Sequence, residues 1–206
     1  MKRVLPCFSL VLCLCSNAFM QGVIGDVFSG RLVNPTVGAW AWYDISGGKA
    51  DDGGTLQLGM MRLAIVGEEK VGDKQGYWLE MQYVPSVGYP SFYKMLLTGP
   101  ADDPANVHKV FRREGTDPME EVPLAGPKGA AEAGLPESPS KGKHNREFVG
   151  NEDVQTPSGA IGAEHYKVAD DADQLEIWLN ESVSPMGIVQ MKSGDGGLLL
   201  RKHGKG

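Results

Sequence analysis

Four histidines are the first residues to test for chemistry. His108 and His165 fall in predicted strands, and His144 and His203 fall in a linker and a tail. None has the HExxH or HxH spacing that turns two imidazoles toward one metal ion, so hydrogen-bonded or solvated histidines are expected. Acids cluster at Asp51–Asp52, at Asp102–Asp103 and at Asp170, Asp171 and Asp173. An EF-hand loop needs oxygen ligands at alternating positions; read from Asp171, Asp173 fits and Leu175 breaks the series. Aspartates that bond their own backbone in turns are the expectation there, and weak metal binding at Asp170, Asp171 and Asp173 stays open. Serine catalysis would need a strained nucleophile elbow. No GxSxG is present, and Ser46, Ser158 and Ser193 sit in turn contexts. "AGPKGAAEAG" lacks the Gly-Lys-Ser/Thr ending of a phosphate loop. "NES" at 180–182 has the form of a glycosylation acceptor, which matters only in a eukaryotic secretory pathway. No catalytic residue and no cofactor is expected. The chain reads as a non-enzyme.

The aromatic residues say more. Trp40, Trp42, Tyr43, Tyr77, Trp78, Tyr83, Tyr89, Phe92 and Tyr93 gather in the first half. "TVGAWAWYDI" (36–45) puts Trp40 and Trp42 on one strand face and Ala39, Ala41 and Tyr43 on the other. "TLQLGMMRLAIV" (55–66) is apolar, with Gly59 where a strand would bulge. "YWLEMQYV" (77–84) alternates, with Tyr77, Leu79, Met81 and Tyr83 facing one way. A sheet with a plain core is one reading. The other is a curved sheet enclosing an apolar ligand, lined by Trp40, Trp42, Leu58, Met60, Tyr77, Leu79, Met81 and Tyr83.

The elements that must position these residues are strands. "SFYKMLLT" (91–98) and "NVHKVFRRE" (106–114) continue an antiparallel series separated by turn chemistry. The stretch 117–145 has five prolines and four glycines in 29 residues, and no aromatic, so it reads as a flexible loop or linker. After it, "AIGAEHYKV", "LEIWLN", "MGIVQMK" and "LLLRK" make a meander, entered through a "TPSG" turn (156–159). No long amphipathic helix is evident. The expected fold class is mainly β, a curved antiparallel sheet or incomplete barrel, as one domain over 26–206.

At the N-terminus, Lys2 and Arg3 precede an apolar run from Val4 to Leu14 and then small residues. That order is a signal peptide over 1–18, with Ser16 and Ala18 before the cut and a later cut possible up to 25. Cys7, Cys13 and Cys15 leave with it, which removes thiol catalysis and thiolate metal sites. The net charge of −6 becomes −8 without Lys2 and Arg3, and disfavours nucleic acid as a partner. No later apolar run reaches membrane-spanning length, so the mature chain is expected to have no integral span.

"VQTPSGAIGAEHYKV", "LEIWLNESVSPMGIVQMKS" and "LLLRKHGKG" resemble uncharacterised bacterial exported proteins with the half-barrel fold of the periplasmic outer-membrane lipoprotein carriers. The matching residues are Thr156 to Gly159, His165–Tyr166, Ile177–Trp178–Leu179 and Pro185 to Val189. The resemblance implies a half-barrel with short helices or loops over its concave face. It implies periplasmic binding of an apolar partner, a lipid or lipidated protein. The alternative is an envelope interaction or assembly protein without a cavity, with a hydrolase a distant third.

Overall fold

The computed structural model describes residues 31–49, 54–101, 103–124, 146–169, 174–194 and 196–206. The expected signal segment, His144, residues 125–145 of the expected linker, Asp51, Asp52, Asp102, and Asp170, Asp171 and Asp173 lie outside the described residues. Eleven strands form one antiparallel sheet. They are β1 (Ala39–Lys49), β2 (Thr55–Val71), β3 (Lys74–Pro85), β4 (Ser91–Leu97), β5 (Val107–Glu114) and β6 (Glu120–Glu121). The second half supplies β7 (Arg146–Thr156), β8 (Gly159–Ala169), β9 (Gln174–Leu179), β10 (Ile188–Ser193) and β11 (Gly196–Lys205). Among the described residues, helix is confined to one 3-10 turn, Pro104–Asn106, capped by Asp103, whose carboxylate accepts from the Ala105 N–H.

The strand order is β6-β5-β4-β3-β2-β1-β11-β10-β9-β8-β7. Each half is a meander whose neighbours in sequence are neighbours in space, as short turns dictate. The joint between the halves is different: β1 pairs with β11, from Ala39↔Lys205 to Ser46↔Gly197. The fold is mainly β, a curved sheet not closed into a barrel.

Curvature follows from burial. One cluster of apolar side chains runs from Val107 and Val110 in β5, through Tyr43, Met61, Leu63, Leu79 and Met95, to Leu200, Ile177 and Val168. This one cluster is drawn from strands of both halves, so the sheet curls its inner face onto itself and excludes water from it. At β1 the inner positions are Ala39, Ala41, Tyr43 and Ile45. Small side chains at 39 and 41 suit the tight side of the curl, whereas Trp40 and Trp42 take the roomier outer face. Tyr43 is fully buried, and its hydroxyl donates to the Ile188 carbonyl at 3.2 Å, which ties β1 to the far half. Burial pushes this phenol above its ordinary titration range.

The long β2–β3 hairpin departs from its sequence pattern. "GEEKVGDKQG" (67–76) reads as a turn, but pairing continues to Val71↔Lys74 and leaves a tight turn at Gly72 and Asp73. Solvated strand positions carry charges, which hides the ladder from a hydrophobicity reading. Likewise "MGIVQMK" starts its strand at Ile188, because Pro185 and Met186 belong to a loop closed by Asn180 N–H to Gly187 O at 2.7 Å. The first residues of the expected linker also pair, with Glu120 opposite Arg112 and Glu121 opposite Phe111.

Gly59 behaves as its place in the sequence suggested. Leu58 is the extra residue where the β1–β2 register shifts, with Ile45 opposite Gly59 and Ser46 opposite Gln57. A Cβ at Gly59 would run into the Val84 carbonyl oxygen and crowd Pro85. Gly59→Ala is therefore expected to lower stability by about 1–3 kcal/mol, the usual cost of overpacking. Urea unfolding reads this as a lower midpoint with an unchanged slope.

Candidate functional site

The eight residues expected to line a cavity fall on two faces of the sheet. Leu79 and Met81 are 0% exposed inside the core, and Leu58, Tyr77 and Tyr83 pack against that core. The Tyr83 hydroxyl donates to the Leu58 carbonyl at 3.1 Å. Trp40, Trp42 and Met60 sit on the outer face, where Trp42 stands opposite Arg62 and Lys202. The Lys202 ammonium lies 5.8 Å over the Trp40 ring. In this half the inner space is occupied by Tyr43, Met61, Leu63, Leu79, Met81 and Met95, each 0% exposed.

Open space lies in the other half. A pocket of about 670 Å³ is bounded by β7, β8 and β9, by the β9–β10 loop and by residues 31–33; none of those eight residues lines it. Ile177, Leu179, Met186, Ile188 and Val33 give it an apolar floor. Arg31, Arg146, Glu152, Asp153, Glu164 and Glu181 give it a charged rim. Local hydrogen bonds hold the walls. Val33 N–H donates to the Pro185 carbonyl at 2.8 Å, and the Asn34 side chain donates to the Glu181 carbonyl at 3.2 Å. Gly187 has φ +74, and any Cβ there would press on Val33, so a glycine lets the entering segment seat.

Asn180, the first residue of the "NES" acceptor form, is part of this wall. Its amide donates to Gly162 O at 2.6 Å, and its oxygen accepts from Ser182 N–H at 2.8 Å. That side chain is a turn and tether residue. Nothing in its sequence context distinguished it from a modification site.

Glu152 of this lining also belongs to a connected polar cluster on the same strands. His165 is buried and stacks on Trp178, with ring centres 4.1 Å apart and planes 11° from parallel. Its Nδ1 is 3.1 Å from a Glu152 oxygen in β7, and its Nε2 is 3.1 Å from a Glu176 oxygen in β9. The Trp178 indole N–H donates to the other Glu152 oxygen at 2.9 Å, and Lys192 lies 4.9 Å over that indole ring. Three strands are thus laced through one imidazole. Both ring nitrogens of His165 face carboxylate oxygens. His108 shares a 2.8 Å contact with Thr98 Oγ1, and His203 is exposed. Among the described residues no three His, Cys, Asp or Glu side chains gather as metal ligands. The Ser158 hydroxyl donates to Arg201 O, tying the β7–β8 turn to β11.

The hydrogen bond from Trp178, then that from His165, holds the Glu152 carboxyl below its ordinary value of 4.5. A depressed carboxylate contributes stability that is complete above pH 4.5 and is lost as pH falls through the folded-state value. The unfolding midpoint should therefore drop more steeply below pH 4.5 in the native chain than in Glu152→Gln. Denaturant melts between pH 6 and pH 3 check this; parallel curves would remove Glu152 from the acid limb.

No family model matches the chain, and no curated protein matches it. Solved structures are similar to it, two of which follow. One is a proposed exported protein with a YMCC-like fold from Bacteroides fragilis, 11% identical, covering 85% of this chain and 100% of that one, with a TM-score of 0.42. The other is a proposed lipoprotein from Parabacteroides distasonis, 12% identical, covering 85% of this chain and 99% of that one, with a TM-score of 0.41. Neither is described as a lipoprotein carrier. Among the described residues no helix is long and apolar enough to cross a membrane.

Proposed function

We propose that the chain is an exported, noncatalytic binding protein of the bacterial envelope whose ligand lays an apolar body on the floor of the β7–β9 pocket. A lipid, or the acyl part of a lipidated protein, is the chemistry such a floor favours. The supporting observation is the pocket itself: about 670 Å³ falls within the range of small-molecule sites, and five apolar side chains converge in it. A noncatalytic role fits the engagement of both His165 nitrogens by carboxylates.

Native mass spectrometry with lipid extraction, on protein purified from its own host, tests the proposal. A stoichiometric acyl-bearing species is expected, and a fluorescent fatty-acid analogue should bind and be displaced by it. Leu179→Trp would fill the pocket from a half-buried position and should weaken that binding at least tenfold, about 1.4 kcal/mol. An empty protein that ignores the analogue would sink the proposal.

One observation favours a second reading, an interaction or assembly protein. β7 is an eleven-residue edge strand, and Phe148 and Val149 on it are 53% and 45% exposed. Unpaired strand edges are templates for a partner's strand. In that case cross-linking from positions on β7 should capture an envelope protein while the pocket stays empty.

A further inference from the structure

Arg146 and Asp153 are seven residues apart on β7. Strict alternation would send side chains seven apart to opposite faces of a sheet. The β7–β8 register breaks between Phe148 and Gly150: Phe148 pairs with Tyr166, but Gly150 pairs with His165. This bulge resets the alternation. Before it, Arg146 and Phe148 stand opposite Val168 and Tyr166; after it, Asn151 and Asp153 stand opposite Glu164 and Gly162. All four β8 partners share one parity, so Arg146 and Asp153 share one face, and both line the pocket.

Their partners Val168 and Gly162 are six residues apart on β8, which at the rise of a strand is about 20 Å. The two charges are therefore too far apart to pair with each other. Between them lie the columns Tyr166–Ile177 and Glu164–Leu179–Ile188, and Ile177, Leu179 and Ile188 belong to the pocket floor. Among the described residues, the lining Glu152 pairs with His165, whereas none of the ion pairs includes Arg146, Asp153, Arg31 or Glu181; Arg146 lies close enough to the Tyr166 hydroxyl to favour its ionised form. Glu164 already accepts the Tyr166 hydroxyl at 2.7 Å.

We infer that the pocket takes an elongated apolar molecule with an ammonium group at one end, facing Asp153, and an anionic group at the other, facing Arg146. The inference rests on the binding reading above and specifies its ligand. Two sources share this chemistry: an amino-bearing lipid and a short apolar peptide with free ends. At about 3.3 Å per extended residue, a peptide of six residues spans the same 20 Å.

Isothermal titration with matched probes tests it on the full-length protein. The probes are 16-aminohexadecanoic acid, hexadecanoate, hexadecylamine, and a Leu-Ala-Leu-Ala-Leu-Ala peptide with free or blocked ends. A doubly charged probe should bind at least tenfold tighter than its controls. Arg146→Gln should abolish that advantage over hexadecylamine, and Asp153→Asn should abolish it over hexadecanoate. Both positions are exposed, so both variants should fold. A preference for the free-ended peptide over the alkyl amino acid names a peptide source, and the reverse names a lipid. Equal affinities across the alkyl set would overturn this inference and leave the apolar-binding reading intact. If no probe binds, and Leu179→Trp changes nothing, both fall.

Discussion

The pairing of β1 with β11 is the constraint on which the rest of the sheet depends. Each meander could form from local turns, but alone it would expose one apolar face to water. Joining them places Tyr43 and Ile45 beside Leu200 and Leu198 and lets one inner face curl over the other. The joint is clasped on both sides: Tyr43 reaches the Ile188 carbonyl within, and Arg201 reaches Asp44 at 3.5 Å outside. These contacts connect residues about 150 positions apart, so their closure entropy must be met before the core repays it. A fold built this way is expected to be a slow folder compared with a helical bundle of equal length.

The same curl separates a filled half from an open one. Around β1 to β4 large buried side chains occupy the inner face. Toward β9 the β9–β10 loop, rather than another strand, borders the open space. The pocket therefore sits where the sheet stops covering itself. Beside it, the Glu152–His165–Glu176 lacing ties β7, β8 and β9 together, and Glu152 itself contributes to the lining.

Strand existence was legible because alternation is a local property. "AWAWYDI" and "YWLEMQYV" showed two-residue periodicity, and turn residues such as Gly59 and Thr156 to Gly159 marked irregularities. Which face of β1 is buried was not legible, since Trp40 and Trp42 outweigh Ala39 and Ala41 on any hydrophobicity scale. Only the curvature, which crowds the inner face, selects the smaller residues. The pocket was hidden for a related reason. Its rim charges look like any solvated surface, and the bulge that brings Arg146 and Asp153 to one face has no signature beyond Gly150. The sequence suggests a hydrogen-bonded or solvated His165; the partners that hold it and Trp178 were not legible, because their bonds to Glu152 span 13 and 26 residues.

By itself the sequence determined the class of structure: turn-separated alternating strands in a mainly β chain. Those properties are set within windows of a few residues, where backbone geometry and side-chain polarity suffice. The pairing of the first strand with the last, the choice of inner face and the location of the open pocket were decided only in three dimensions. Each depends on which distant residues meet once the sheet has curled, and no local pattern encodes that meeting.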